Sequence, residues 1–193
     1  MKVLLFLAKG FETIEASAFI DIVGWARNDY HHEVDVVTCG FNKTVVSTFG
    51  VPVLVDKLVG DINADDYDAL AIPGGFEEFG FYEEAFSSEL SDIIKQFDQQ
   101  NKPIATVCVA ALALGYSGIL KGKEATTYHL NGGIRQKQLA QYGALIVNKP
   151  VVKTGNIITS YCPQTAPDVA FTMLEMLIGT ENTYVVKTAM GYM

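Results

Sequence analysis

Four short runs typical of strands, three of them largely apolar, stop abruptly in this chain, and each is followed by a stretch with helical periodicity. The runs stop before Lys9-Gly10, Pro73-Gly74-Gly75, Cys108 and Cys162-Pro163. Continuous apolar runs are typical of strands that are covered on both faces, as in parallel sheets. A strand, a turn and a helix in succession form half of a βαβ unit. The pattern therefore predicts an α/β fold with a doubly wound, mostly parallel sheet and helices on both faces.

Most of the chain can be assigned to strands and helices from the spacing of its apolar residues. Strands are predicted at Val3–Ala8, Glu33–Thr38, Ala69–Ile72, Pro103–Val107, Gly122–His129 and Asn156–Tyr161. Helices are predicted at Glu12–Asn28, Ser87–Gln100, Val109–Leu114, Ile134–Tyr142 and Thr165–Ile178. Two short strands are predicted at Thr44–Ser47 and Val51–Val55, and they are expected to form a small antiparallel pair. The tail Thr180–Met193 stays open, since Val185-Val186 fits either a docked edge strand or a subunit contact.

The length and charge of the chain restrict its class. Its 193 residues fit one domain, expected to span residues 1–193, and a hydrophobic content of 49% is ample for a core. The net charge of −8 argues against nucleic-acid binding, because that affinity depends on clustered Lys and Arg. No run approaches the roughly 18 apolar residues of a membrane span. We therefore expect neither a nucleic-acid partner nor a membrane partner.

The N-terminus imitates a secretory signal peptide only in its first residues. Lys9 and Glu12 interrupt the apolar run before it reaches the length that a signal peptide needs, so a buried first strand is favoured. The three cysteines, Cys39, Cys108 and Cys162, are too widely spaced for a disulfide framework. Both observations favour a reducing cytoplasm as the location of the protein.

Cys108 is the strongest candidate for a reactive residue. It lies between the predicted strand Pro103–Val107 and the helix-prone stretch Val109–Leu114. A sharp strand-to-helix turn lifts one side chain clear of the sheet and aims a helix N-terminus at it. That arrangement lowers the pKa of a cysteine thiol and favours the nucleophilic thiolate. The alternative is an unreactive core residue, because cysteine is among the most buried residue types.

Other candidate site residues also follow predicted strands, whose carboxyl ends are where ligands bind in open α/β sheets. The backbone N–H groups of Gly74 and Gly75 can form an oxyanion hole, although Pro-Gly-Gly is also an ordinary turn. Glu15 follows the first strand and has apolar neighbours. A carboxyl in such a place can have a raised pKa, stay protonated and donate a hydrogen bond to a thiolate. Alternatively, its charge simply stabilises the helix N-terminus.

Five motifs of the chain are specific when they are taken together. They are Ala8–Glu15, Pro73-Gly74-Gly75, Ala105–Cys108, Ala125-Thr126-Thr127 and Thr159–Thr165. In order and spacing they resemble the ThiJ/PfpI superfamily over nearly the whole chain, and within it the branch of the parkinsonism-associated protein deglycase. The resemblance implies a flavodoxin-like sandwich, a homodimer, an elbow nucleophile at Cys108 and a protonated partner at Glu15. It also implies a pocket lined by Gly74, Gly75, Cys162 and Pro163.

A homodimer is also indicated by the first helix. Its apolar residues exceed what one face of a sheet can bury: Phe19, Ile22, Val23 and Trp25. We therefore expect part of this helix to form a subunit contact.

The chain departs from the superfamily pattern in two places near the nucleophile. Relatives often carry small residues or a His-Gly pair after the cysteine, whereas this chain has Val109. The branched Val109 side chain narrows the space around the sulfur. Its N–H can still complete the oxyanion site. Relatives often place a histidine after a Thr-Thr or similar pair, where this chain has Tyr128 and then His129. One residue changes the face of a strand. His129 is therefore a candidate base only if the backbone bulges, and otherwise a surface residue.

Cys162 occupies a position in the pocket rim that is commonly glycine in relatives. Two thiols at one pocket allow a reversible disulfide between Cys162 and Cys108. Alternatively, Cys162 only fills space at the strand end and is not reactive. A disulfide requires Cα atoms within about 7 Å, and a strand-end cysteine two connections away is expected just beyond that limit. We therefore expect oxidation of Cys108 to a sulfinate to dominate over a disulfide.

Two functions from different classes fit these residues. The first is a cofactor-free enzyme in which Cys108 attacks small electrophilic carbonyl compounds, as in a glyoxalase or deglycase, with Glu15 as proton donor. The second is a redox sensor or stress-protective protein in which an oxidant converts Cys108 to a sulfinate without turnover. Flavin, nucleotide and metal binding are not expected. The chain has no phosphate-binding glycine motif and no cluster of metal ligands at suitable spacing.

Overall fold

The computed structural model describes residues 1–192. The strands in that range are β1 (Lys2–Phe6), β2 (Asp35–Gly40), β3 (Thr44–Val46), β4 (Pro52–Leu54), β5 (Lys57–Leu58), β6 (Ala69–Ile72), β7 (Ile104–Thr106), β8 (Glu124–Ala125), β9 (Leu145–Ile146), β10 (Val151–Thr154) and β11 (Ile157–Ser160). The α-helices are α1 (Thr13–Asn28), α2 (Phe81–Ala85), α3 (Ser88–Gln99), α4 (Ala111–Ser117), α5 (Ile134–Gln141), α6 (Ala166–Ile178) and α7 (Thr180–Ala189).

A seven-stranded sheet forms the centre of the fold, in the order β10-β11-β7-β6-β1-β2-β5. Its neighbouring strands run parallel except at one edge, where β10 pairs antiparallel with β11. The two short strands β3 and β4 form an antiparallel pair, as expected. A further pair, β8 and β9, is parallel. The predicted α/β fold with a mostly parallel sheet is confirmed.

The strand order reverses at β1, which has β2 on one side and β6 on the other. In open α/β sheets the crevice beyond the carboxyl ends at such a reversal is the usual place for a ligand. The segments that follow β1, β6, β7 and β11 carry Glu15, Gly74, Cys108 and Cys162, respectively. The sheet order therefore brings these four residues to one edge.

Helix α3 illustrates how the sequence pattern produces the packing. The Ser87 hydroxyl caps its N-terminus by accepting a hydrogen bond from the Leu90 N–H at 3.2 Å. Leu90, Ile94 and Phe97 recur at helical spacing and are fully buried. This apolar face packs on β6, β7 and α4.

Two predicted elements differ from the structure. Within Gly122–His129 only Glu124–Ala125 pairs as a strand, because the next N–H, of Thr126, donates to the Thr159 side chain at 2.9 Å instead of extending a ladder. The tail forms α7 rather than a docked edge strand. This helix packs on α1 and α6 and buries Val186. Met193, the last residue of the tail, lies outside the described residues.

The apolar face of α1 is largely used within the subunit. Phe19, Ile22 and Val23 are fully buried, because α6 and α7 pack against α1 in addition to the sheet. The structure therefore buries these three residues within one subunit, and a contact of α1 with a second subunit stays a prediction. Trp25 is 39% exposed, and Ile14 and Ile20 on the same helix are also exposed.

Several short elements have no simple sequence signal, and the two-residue strands β5 and β9 are among them. The pattern does not predict α2, which is five residues long, or the edge strand β10.

Among residues 1–192, every helix is too short or too polar to cross a membrane.

Candidate active site

Cys108 stands at a strained turn between β7 and α4. It begins a 3-10 turn, Cys108–Ala110, with a φ of +57°, in the left-handed region. Of the non-glycine residues with positive φ in the described range, the other three are Asn or His, which adopt this conformation more readily. The Thr127 hydroxyl donates to the Cys108 carbonyl at 2.8 Å and helps to hold the turn. Such strain is concentrated at functional sites and costs about 1–3 kcal/mol.

Glu15 lies in the first turn of α1 with no exposed surface. Its Oε2 accepts a hydrogen bond from the Gly74 N–H at 2.6 Å, whereas Oε1 is buried and has no partner of ordinary hydrogen-bond geometry among residues 1–192. Burial raises the pKa of Glu15 to about 8, and the Gly74 N–H and the nearby Cys108 thiol lower it only in part. The carboxyl is therefore protonated at neutral pH and has a proton to donate beside the sulfur.

The Cys108 thiol is also buried, with 8% of the residue exposed. Burial raises its pKa well above the ordinary value, a Glu15 carboxylate raises it further, and the Val109 N–H lowers it. The low pKa expected from a helix N-terminus is thus not found in the resting structure, because desolvation outweighs the dipole. Protonation of Glu15 removes its charge, so the two groups ionise as a coupled pair.

Gly74 and Gly75 have different roles. The Gly74 N–H is occupied by Glu15 and so is not available to an oxyanion. The Gly75 N–H donates to no other group among residues 1–192. A Cβ at Gly75 would lie 2.3 Å from the Gly10 carbonyl oxygen and 2.5 Å from the Phe81 ring, so the close approach of the backbone requires glycine. Gly75 can therefore present a free donor to the site.

A cavity of about 450 Å³ opens above the sulfur. The predicted residues Gly75, Cys108, Val109, Cys162 and Pro163 line it together. The structure thus brings these residues to one cleft, with Gly74 and Glu15 behind its wall.

Further residues of the cleft are missed by sequence reasoning. They are Glu12, Phe76, Glu77, Glu78, Tyr82, Tyr128, Leu130, Asn131 and Arg135. The Arg135 guanidinium donates to Glu77 Oε2 at 2.6 Å and lies 4.9 Å from the centre of the Tyr82 ring. These groups come from a loop and a helix that are distant in sequence, and no local pattern marks them.

His129 is directed to Cys162 instead of joining Cys108 at the cleft. Its Nδ1 lies 3.5 Å from the Cys162 sulfur, and its ring stacks on Tyr161 with centroids 3.9 Å apart. Tyr128, its neighbour, lines the cleft, whereas His129 does not. The bulge that would make His129 a base for Cys108 is therefore absent from this part of the chain.

A sequence model of the DJ-1/PfpI family matches residues 1–176. The chain belongs to the DJ-1/PfpI family. It is 32% identical over 181 residues to Protein DJ-1 homolog A of Arabidopsis thaliana, covering 93% of this chain and 44% of that protein. It is 35% identical over 135 residues to an uncharacterised protein of Methanocaldococcus jannaschii, covering 69% and 63% of the two chains. The chain thus spans less than two thirds of these relatives.

Solved structures of DJ-1 proteins have the same fold. The crystal structure of Drosophila melanogaster DJ-1beta superposes with a TM-score of 0.85 at 28% identity, covering 98% of this chain and 96% of that one. An oxidised Toxoplasma gondii DJ-1 superposes with a TM-score of 0.82 at 27% identity, covering 99% and 98%. The predicted resemblance to the superfamily is confirmed.

The protonated Glu15 predicts an unusual dependence of stability on pH. Its pKa is about 8 in the folded protein and has an ordinary value of 4.5. The folded state therefore binds an extra proton, and the free energy of unfolding should fall as pH rises from 4.5 to 8. Glu15→Gln keeps an acceptor for the Gly74 N–H but cannot ionise. We expect this variant to lose the decline, as measured by urea unfolding across that range.

Glu33→Gln is the matched control, because Glu33 is an exposed carboxylate remote from the cleft. Its stability curve should keep the slope of the parent protein. Parallel curves for the parent and Glu15→Gln would show that Glu15 is ionised in the folded state.

Proposed function

We propose that this DJ-1/PfpI protein is a cysteine-dependent, cofactor-free enzyme that acts on small reactive carbonyl compounds, as glyoxalases and deglycases do. The observation that carries the proposal is the environment of the Cys108 sulfur. A buried Glu15 carboxyl with a raised pKa lies on one side, and the N–H groups of Gly75 and Val109 lie at the cleft. A nucleophile, a proton donor and two oxyanion donors are the groups that addition to a carbonyl needs.

In the first step the Cys108 sulfur forms a bond to the aldehyde carbon, and the π electrons of the carbonyl move to its oxygen. The Gly75 and Val109 N–H groups stabilise the charge on that oxygen. The proton lost by the thiol ends on the oxygen, which gives a hemithioacetal. With methylglyoxal, the former aldehyde hydrogen moves to the neighbouring ketone carbon, and the hydroxyl proton of the hemithioacetal moves to the former ketone oxygen, which gives a thioester of lactate. Water then cleaves the thioester, so one methylglyoxal and one water become one lactate.

The charges around the cleft favour substrates without a negative charge. Glu12, Glu77 and Glu78 line the cleft, and its one lining cation, Arg135, is paired with Glu77. An anionic substrate would meet carboxylates that are not neutralised. Small uncharged dicarbonyl compounds fit this environment and the narrow space beside Val109.

The enzyme proposal is tested by lactate formation from methylglyoxal. We expect the parent protein to form lactate and Cys108→Ser to form none above the uncatalysed background, because the hydroxyl is a much weaker nucleophile. Cys39→Ser is the matched control, since Cys39 is buried in β2 away from the cleft. Equal lactate formation by Cys108→Ser and the parent would exclude Cys108 as the nucleophile, and no formation by the parent would exclude this substrate.

A second candidate function is a response to oxidants. Glu15 can donate its proton to an oxygen on the Cys108 sulfur, because its buried Oε1 has no other hydrogen-bond partner in the described part of the chain. One peroxide converts the thiol to a sulfenic acid and releases water, and a second peroxide converts this to a sulfinic acid and releases another water. A related Toxoplasma gondii DJ-1 has been solved in an oxidised form.

Mild hydrogen peroxide should therefore add two oxygens to Cys108. Peptide mass analysis locates the change, and Glu15→Leu should reduce its yield because the donor is removed. A dominant Cys108–Cys162 disulfide, seen as the loss of two hydrogens shared by the two peptides, would contradict this expectation.

We also propose that the protein is a cytoplasmic homodimer. The exposed apolar residues Ile14, Ile20 and Trp25 on α1 support a subunit contact, and three free thiols suit a reducing compartment. Sedimentation at micromolar concentration should give the mass of two chains, and Ile20→Glu should shift the equilibrium toward one. A parent protein that sediments only as a monomer would reject the dimer.

A further inference from the structure

A second thiol at the cleft contacts an imidazole that is not itself part of the cleft lining, apart from the Cys108–Glu15 pair. The Cys162 sulfur is 3.5 Å from His129 Nδ1, within hydrogen-bond distance for sulfur. Cys162 also lines the cleft, so a small molecule that enters has access to this sulfur. Nothing in the chemistry proposed for Cys108 requires either residue.

The orientation of the His129 ring is fixed by its neighbours. It stacks on Tyr161 at an interplanar angle of 26°, and the Tyr161 hydroxyl donates in turn to Asn148. Tyr161 is itself buried, and its N–H donates to the Pro150 carbonyl at 3.0 Å. The imidazole is thus held with Nδ1 toward the sulfur, which is the geometry of a base paired with a nucleophile.

The backbone beside Cys162 also favours a negative charge on sulfur. Cys162 precedes the 3-10 turn Pro163–Thr165, which continues directly into the thirteen-residue helix α6. The positive end of that helix therefore lies next to the residue. Burial acts in the opposite direction and raises the pKa of Cys162, as does a charge on Glu15. The thiol therefore stays protonated at rest and needs a proton acceptor when it reacts.

We propose that Cys162 and His129 form a second reactive thiol–imidazole pair, at which small soft electrophiles modify Cys162 while His129 accepts the thiol proton. The pair acts independently of Cys108, so the proposal stands whether or not Cys108 turns over a substrate.

Iodoacetamide is the probe for this thiol. The Cys162 sulfur forms a bond to the methylene carbon, and the carbon–iodine bond breaks as iodide leaves with its electron pair. The thiol proton moves to His129 Nδ1 and from there to water. An α,β-unsaturated carbonyl compound would react at the same sulfur, with the proton ending on its α-carbon.

The test measures the rate of Cys162 alkylation by iodoacetamide in Cys108→Ser protein, so that only one cleft thiol reacts. We expect Cys162 to react and Cys39, which is fully buried, to stay unmodified while the protein is folded. Adding His129→Ala should slow the reaction of Cys162 by about tenfold or more, because the proton acceptor is lost. Free imidazole in the buffer should restore part of the rate by occupying the space beside Tyr161.

His32→Ala in the same Cys108→Ser protein is the matched control, since His32 lies in the loop after α1. Its rate should equal that of Cys108→Ser alone. The proposal is overturned if Cys162 is as unreactive as Cys39, or if His129→Ala leaves the rate unchanged. It is also overturned if imidazole restores nothing while Cys39 stays protected, because His129 would then have only a packing role.

Discussion

The hydrogen bond from the Gly74 N–H to the buried Glu15 carboxyl joins the three segments on which the site depends. It connects α1 to the turn after β6, and a Cβ at Gly74 would lie 3.1 Å from the Cβ of Cys108. The same turn is held from its other side, where Glu12 N–H donates to the Gly74 carbonyl at 2.8 Å. Because one carboxyl oxygen is fixed by this bond, the other is left beside the Cys108 thiol.

That arrangement costs stability that the rest of the fold must supply. A carboxyl without exposed surface loses its hydration, and one backbone N–H replaces only part of it. Protonation reduces the cost, which is why the pKa of Glu15 is raised to about 8. The large parallel sheet, with β1, β6 and β7 fully buried along most of their length, provides the rigid frame that keeps the group in place.

The sequence predicts the parts of the site that follow buried strands and fails where side chains meet across the cleft. Cys108, Glu15 and Gly75 are marked by the apolar runs before them, since strand ends in a parallel sheet meet at one edge. Arg135 and Glu77 carry no such mark, because their pairing depends on how α5 lies relative to a loop. The position of His129 is missed because β8 ends at Ala125, so strand alternation no longer applies. The raised pKa of Cys108 is missed because burial depends on tertiary packing.

The left-handed backbone at Cys108 affects which residues can replace this cysteine in the course of evolution. At a φ of +57° a side chain is disfavoured, and glycine would adopt the turn at less cost. Cys108 therefore occupies a position where a more stable fold and the proposed thiol chemistry require different residues. Substitutions that improve thermal stability at this turn would be expected to remove the thiol, so that only a need for the proposed chemistry would keep a cysteine at this position.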